Sequence, residues 1–340
     1  MDIRDAINRV INGKDLSQDE MQSVMRTVMQ GEATPAQIGG FLVALRMKGE
    51  TVGEIAAAAK VMRDMAARVN VRHPHLVDIV GTGGDSSDTF NISTAASFVI
   101  AAAGGMVAKH GNRAASSKSG SADLLEAAGV NLDLTPEQVA ECINVTGIGF
   151  MFAPRHHEAM KHAIGPRREL GTRTIFNMLG PLTNPAWVQN QLVGVYAGEL
   201  VRPVAEVLQT LGSRHAMVVH SDDGLDEISI AAPTRIAELN NDSIAEYKVT
   251  PEDFGLERSG LEAIRVGSVQ ESLGLVNAVL DNQAGPARDI VILNAAAAIY
   301  AADLTDTLAI GVDKARETIA SGAARRKFNE FIEFTRKFTS

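Results

Sequence analysis

The chain has 340 residues, 45% hydrophobic and 21% charged, with a formal net charge of -9. That composition describes a globular protein of one large domain or two and argues against extensive disorder. It also argues against nucleic acid as the main partner, because phosphate-backbone binding needs an extended basic face.

The N-terminus, Met1-Asp2-Ile3-Arg4-Asp5, has no basic segment followed by an apolar run, so a cytoplasmic protein without a secretory leader is expected. Helix punctuation follows. Ser17 with Glu20, Thr34 with Gln37 and Thr51 with Glu54 each form a capping-box signature. Met21, Val24, Met25, Val28 and Met29 then recur at helical spacing, as do Ile38, Phe41, Leu42 and Leu45 before Gly49. The first seventy or so residues therefore predict an all-helical domain, taken as 1–73.

At Pro74 the pattern changes. Leu76–Val80 predicts a strand, Gly81-Thr82-Gly83-Gly84-Asp85 a glycine loop, and the stretch from about Asn91 a helix. Met106–Ala108 predicts a strand before a basic loop over 109–121, followed by helices at Ala122–Ala128 and behind Thr135 and a strand at Ile148–Phe152. Strands are also predicted at Gln191–Tyr196 and His215–His220, with a helix from Pro203 to Leu211 between them. This alternation predicts an α/β fold with a mainly parallel central sheet. Ile236–Leu239 and Ile244–Val249 lack an intervening helix and predict an antiparallel edge.

Further helices are predicted behind Ser268, along Ile290–Ala302 and in the amphipathic tail bearing Phe328, Phe331, Ile332 and Phe334. Ile92–Ala108 and Ile290–Ala302 are alanine-rich and interrupted by small or polar residues. Both predict buried core helices, since a membrane span needs about 20 predominantly apolar residues. The single cysteine, Cys142, lies on a helical apolar face and predicts a buried structural thiol.

Chemistry is suggested where these elements join. The glycine loop lets backbone N–H groups approach a ligand, although alone it also fits a structural turn. Asn91-Ile92-Ser93-Thr94 opens a helix, a natural phosphate site or a simple N-cap. The loop from Lys109 to Ser121 carries Lys109, Arg113 and Lys118 with no acid before Asp123, a local reversal of sign that predicts an anion cradle. In His220-Ser221-Asp222-Asp223-Gly224-Leu225-Asp226-Glu227, four carboxylates follow a strand and offer the hard oxygens that Mg²⁺ accepts, or form a solvated acidic turn. Arg167, beside Arg168, could clamp a carboxylate.

Taken in order, Gly81-Thr82-Gly83-Gly84-Asp85, Asn91-Ile92-Ser93-Thr94, Lys109-His110-Gly111-Asn112-Arg113, Ser119-Gly120-Ser121-Ala122-Asp123, Arg167 and Asp226-Glu227 closely resemble the anthranilate phosphoribosyltransferase family. The likeness spans nearly the whole chain. Related pyrimidine nucleoside phosphorylases share the helical-plus-α/β plan but lack Asn at the position of Asn112 and typically have Gly-Thr where this chain has Gly120-Ser121.

The resemblance implies a homodimer with a hinged cleft between a small helical domain, completed by about 167–187, and an α/β domain formed by 74–166 and 188–340. It implies transfer of a phosphoribosyl group from phosphoribosyl pyrophosphate (PRPP) to the amine of anthranilate, a step of tryptophan biosynthesis. It places PRPP on Gly84, Asp85, Thr89, Asn91, Ile92, Ser93, Thr94, Lys109, His110, Gly111, Asn112, Arg113, Ala114, Ala115, Ser116, Ser117 and Ser121. Anthranilate would meet Gly81, Asn112, Arg167, His110 and His157, with Arg167 and Arg168 both available to its carboxylate. Mg²⁺ would be held by Ser93, Asp226 and Glu227. No protein nucleophile is expected, and no nucleic-acid or membrane partner.

Overall fold

A computed structural model describes residues 1–84, 87–114 and 118–338. The chain opens with helices α1 (Ile3–Ile11), α2 (Gln18–Met29), α3 (Pro35–Lys48) and α4 (Val52–Met65). All three predicted capping boxes form, each with a side-chain oxygen accepting from the third helical N–H and the Glu or Gln returning the bond. Glu54 does more than cap. Fully buried, it also accepts from Leu16 N at 3.0 Å and Lys48 Nζ at 2.9 Å, locking α4 against the chain that enters α2.

The remainder runs β1 (Leu76–Gly81), α5 (Ile92–Ala102), β2 (Met106–Gly111), α6 (Ser121–Ala127), α7 (Pro136–Thr146), β3 (Ile148–Phe152), α8 (Ala153–His156), α9 (Lys161–Leu170) and α10 (Phe176–Leu182). It continues β4 (Asn190–Gly194), α11 (Val201–Thr210), β5 (His215–Ser221), β6 (Thr234–Asn240), β7 (Ser243–Val249), α12 (Val269–Leu280), α13 (Pro286–Ala301), α14 (Leu308–Ala320) and α15 (Ala323–Arg336). The strands form one sheet in the order β3-β2-β1-β4-β5-β6-β7. β3 to β5 along that order are parallel, whereas β6 and β7 add the predicted antiparallel edge.

Both sheet faces are covered, as a parallel sheet requires. Along β5, Met217 and Val219 join one core with α5, α13 and α15, while Ala216 and Val218 join the other with α11 and the N-terminal helices. This alternation follows from the two-residue period of a strand. Ala163, Ile175, Phe176, Met178 and Leu179 also enter the second core, so α9 and α10 pack with the N-terminal helices despite their distance in sequence.

Two sequence expectations need correction. Ile92–Ala108 is not one core helix: Gly104, with φ of 105°, and Gly105 end α5, and Met106 begins β2. The basic loop also starts later than expected, because Lys109, His110 and Gly111 pair with Phe150, Met151 and Phe152 of β3. The segment between Arg167 and β4 is helical over Phe176–Leu182. Cys142 is buried as predicted, and burial pushes its thiol up to about 12. No helix among the described residues is long and apolar enough to cross a membrane.

Candidate active site

β1 lies between β2 and β4: the chain steps from β1 outward through β2 to β3, then crosses back to place β4 and β5 on the other side of β1. A crevice outside the carboxyl ends of strands at such a switch point is where open α/β sheets bind ligands. Here the paired strand ends are both glycine, Gly81 on β1 and Gly194 on β4. Their lack of side chains is required by Asp226. A Cβ on Gly194 would lie 1.6 Å from the Asp226 carbonyl oxygen, and one on Gly81 would lie 2.4 Å from Asp226 Oδ2. The acidic loop after β5 therefore lies directly across the switch point.

Asp226 in turn shapes the glycine loop. Its Oδ2 accepts from Gly83 N at 2.8 Å, while Thr82 N donates to Gly194 O at 2.9 Å and Tyr196 N donates to Thr82 Oγ1 at 3.0 Å. Gly83 and Gly84 are consecutive left-handed residues, φ 65° and 78°, a backbone that glycine alone adopts readily. Of the four predicted carboxylates, two serve the fold. Asp222 pairs with Arg235 and Lys248, and Asp223 accepts from Ser229 Oγ and Leu225 N. Asp226 faces the glycine loop, and Glu227 is near enough to act electrostatically on Lys109.

Lys109 is an interior group. Only 3% exposed, its ammonium donates to Ile79 O at 2.7 Å and Ser93 Oγ at 3.2 Å. Burial pulls its pKa down against the opposing pull of Asp78 and Glu227. Gly81, Ser93, Lys109, Asp226 and Glu227 are thus brought to one place at the carboxyl ends of β1 and β2. Asn91 prepares the helix end beside them. Its side chain does not cap α5 among the described residues. Asn91 Oδ1 accepts from Ser119 Oγ and Ser272 Oγ, both at 2.7 Å, and Nδ2 donates to Ser119 O at 3.1 Å. The buried Thr94 Oγ1 also lacks a partner among the described residues. An uncapped helix N-terminus with an unspent hydroxyl suits an anion. Thr89 is fixed just before it by a β-bridge to Arg265, and Ile92 is buried beneath.

The loop after β2 departs from its sequence reading in charge. Arg113 donates to Asp123 at 3.1 Å and to both oxygens of Glu126 at 2.8 and 2.9 Å, so α6 neutralises it. Asp123 also accepts from Ala114 N and Gly120 N, closing the loop on itself. Sequence distance hid this pairing, because the helical turn of α6 returns the acids to the loop. Gly111 is required as well, since a Cβ there would lie 2.3 Å from Ser121 Oγ. Asn112 is exposed, and its Oδ1 accepts from Arg113 N at 2.8 Å. Asp85, Ala115, Ser116 and Ser117 lie outside the described residues.

Beside this polar centre stands a buried wall of different character. The His110 and His157 rings lie 5.1 Å apart, both buried. His110 Nδ1 is 3.2 Å from Gly180 O and so carries the proton, leaving Nε2 as an acceptor. Neither Nε2 has a partner among the described residues. Burial lowers His110 well below the usual imidazole range and His157 to about 4, so both stay neutral at pH 7. Arg167 sits on the last turn of α9, half-buried over the Phe176 ring at 5.0 Å, while Arg168 is exposed.

Sequence reasoning missed the buried support under this wall. Asp78, fully buried in β1, accepts from Asn184 Nδ2 at 2.7 Å and from His110 N at 3.3 Å, and Asn184 also donates to Ala108 O at 2.8 Å. Burial raises Asp78 to about 6 against the pull of Lys109. An acid inside an apolar strand was the available signal, because such a group is kept only when it is bonded.

Comparison with known proteins agrees with this geometry. Residues 73–325 match the α/β domain of a glycosyl transferase family, and residues 4–66 match its helical bundle domain. The anthranilate phosphoribosyltransferase of Thioalkalivibrio sulfidiphilus is 62% identical, covering 98% of this chain and 99% of its own. That of Methylococcus capsulatus is 60% identical over the full length of both chains. The solved Thermus thermophilus enzyme superposes with a TM-score of 0.93 at 46% identity, covering 98% and 99% of the two chains. The Saccharomyces cerevisiae enzyme, solved in complex with PRPP and Mg, superposes with a TM-score of 0.90 at 28% identity, covering 99% and 98%. With the fold, the switch-point site and full-length identity in agreement, the chain belongs to the anthranilate phosphoribosyltransferase family.

Proposed function

We propose that this site transfers the phosphoribosyl group of PRPP to the amine of anthranilate, releasing pyrophosphate, as the tryptophan-pathway step of its family. One observation carries the reading: the glycine loop, the uncapped end of α5, buried Lys109 and the Asp226 carboxylate converge at one switch point. The arrangement offers backbone N–H groups and hydroxyls for phosphate oxygens, with Lys118 on the adjoining loop and Arg113 there already paired with Asp123 and Glu126. The nucleophile is the substrate amine, so the protein supplies positioning and neutralisation of the leaving group.

Ser93, Asp226 and Glu227 fit Mg²⁺ by their chemistry, a hydroxyl and two carboxylates at the mouth of a phosphate site. When bound, the ion would neutralise charge developing on pyrophosphate. The bond from Gly83 N orients the Asp226 carboxylate, and Lys109 holds the Ser93 hydroxyl. The neutral His110–His157 wall and half-buried Arg167 suit an aromatic acid: the rings pack against its face and the guanidinium takes its carboxylate. The shared core of α1 to α4 with α9 and α10 supports a helical domain of 1–73 completed by about 167–187.

The helical domain also supports a homodimer. An apolar groove of about 940 Å³ runs between α1, α3 and α9, lined by residues including Val10, Val43 and Leu170. Ile11 and Met47 on its rim are 67% and 83% exposed. A second copy of the chain covers this face in our reading. The transfer itself is tested by incubating the protein with anthranilate. Fluorescence should fall only when PRPP and Mg²⁺ are both present, whereas phosphorolysis of thymidine or uridine would favour the phosphorylase alternative.

A further inference from the structure

Arg173, between α9 and α10, belongs to none of the sequence motifs, yet it spans the boundary between the helical and α/β halves. Its backbone carbonyl accepts from the Arg46 guanidinium on α3. Its own guanidinium donates to the Gly84 carbonyl and lies 4.3 Å from the centre of the Tyr196 ring. The Nε atom is 3.6 Å from where a Cβ of Gly84 would stand, so the guanidinium covers that glycine closely. Tyr196 donates its backbone N–H to Thr82, within the same loop.

The Gly81–Gly84 loop is therefore held from two sides. Asp226 fixes the Gly83 N–H from the sheet side, and Arg173 fixes the Gly84 carbonyl from the helical side. Two successive left-handed glycines have little conformational preference of their own, so outside partners decide where their N–H groups point. A carbonyl held outward by a cation leaves the N–H face of the turn toward the donor site, as in other anion-binding nests.

We propose that Arg173 is a positioning residue for the phosphoribosyl donor, tying the helical half to the Gly83–Gly84 turn so that docking of the two halves sets the donor-binding backbone. The proposal rests on the PRPP reading of this site for its substrate, but the tie itself does not. The cation–aromatic contact with Tyr196 holds the guanidinium flat against the loop, so lysine should replace arginine only in part.

Two measurements on the full chain separate the tie from the function. Amide hydrogen exchange of the segment containing residues 81–84 should become several-fold faster in Arg173→Ala than in wild type or in Arg168→Ala, with Arg173→Lys intermediate. In steady-state assays, Arg173→Ala should raise the KM for PRPP about tenfold, the scale of one lost hydrogen bond from a charged group, with kcat and the anthranilate KM changed less than about threefold. Unchanged exchange in both Arg173 variants would overturn the tie. Faster exchange with equal losses in both KM values would overturn the donor-specific role. If Arg173→Ala does not fold, Arg173→Lys carries both tests. Failure of the wild-type chain to consume anthranilate would count against the functional reading, and the exchange result would still decide the tie.

Discussion

Replacing Gly81 with alanine adds one methyl group where β1 meets the acidic loop. Its Cβ would lie 2.4 Å from Asp226 Oδ2 and 3.0 Å from Cγ, and since ordinary contact begins near 3.4 Å, the carboxylate must retreat by about 1 Å. The Asp226 main chain cannot take up the shift toward the sheet, because its carbonyl already lies over Gly194. The side chain must rotate instead, breaking the 2.8 Å bond from Gly83 N. A misplacement of about 1 Å in a positioned group costs about 100-fold in rate, or ~2.7 kcal/mol of transition-state stabilisation. We expect Gly81→Ala to lower kcat/KM for PRPP by about that factor and to raise the Mg²⁺ needed for half-maximal rate, read from the fall in anthranilate fluorescence. Gly274→Ala on α12, where a Cβ meets nothing within 4 Å, is the control and should behave as wild type. Wild-type turnover and Mg²⁺ dependence in Gly81→Ala would refute the role given to Asp226.

Arg167→Ala should raise the KM for anthranilate by about tenfold or more with little effect on that for PRPP, whereas Arg168→Ala should change neither, in initial-rate assays with each substrate varied in turn. The histidine wall predicts an acid-sensitive fold. His157 titrates near 4 in the folded protein and near its ordinary 6.5 when unfolded, so the unfolded chain binds the proton first as pH falls. Its contribution is present above pH 6.5 and is lost toward pH 4, about 2 kcal/mol by pH 4.5. Urea melts of His157→Gln should show a shallower loss of stability over that window than wild type, and parallel curves would contradict the assignment. Met47→Glu, at the rim of the apolar groove, should convert a dimer to monomers in analytical ultracentrifugation, and an unchanged sedimentation coefficient would remove this face as the interface.

Much of the fold was legible because its signals are local. Capping boxes at Ser17, Thr34 and Thr51 and the strand, glycine loop and helix sequence from Leu76 to Thr94 depend on neighbours within a few residues. Alternating strands and helices then put the loop ends on one edge of a parallel sheet, so motifs distant in sequence could be grouped. What stayed hidden depends on tertiary return. Asp78 and Asn184 are 106 positions apart, and each looks unremarkable in its own segment. Arg173 and Gly84 are separated by 89 positions. Arg113 looked like a bare cation because Asp123 and Glu126 come back to it only once α6 forms. By sequence Lys109 falls among loop cations, but strand pairing with Phe150 draws it into the interior, where it organises Ser93.

The central claim, that the acidic pair beside the glycine loop forms the metal-assisted donor site, is tested most directly by calorimetric titration of PRPP into the protein with and without Mg²⁺. Mg²⁺ should tighten PRPP binding to the wild-type chain, and Asp226→Asn with Glu227→Gln should abolish this enhancement while the thermal melt stays near wild type. Equal enhancement by Mg²⁺ in the wild-type and doubly substituted proteins would contradict it.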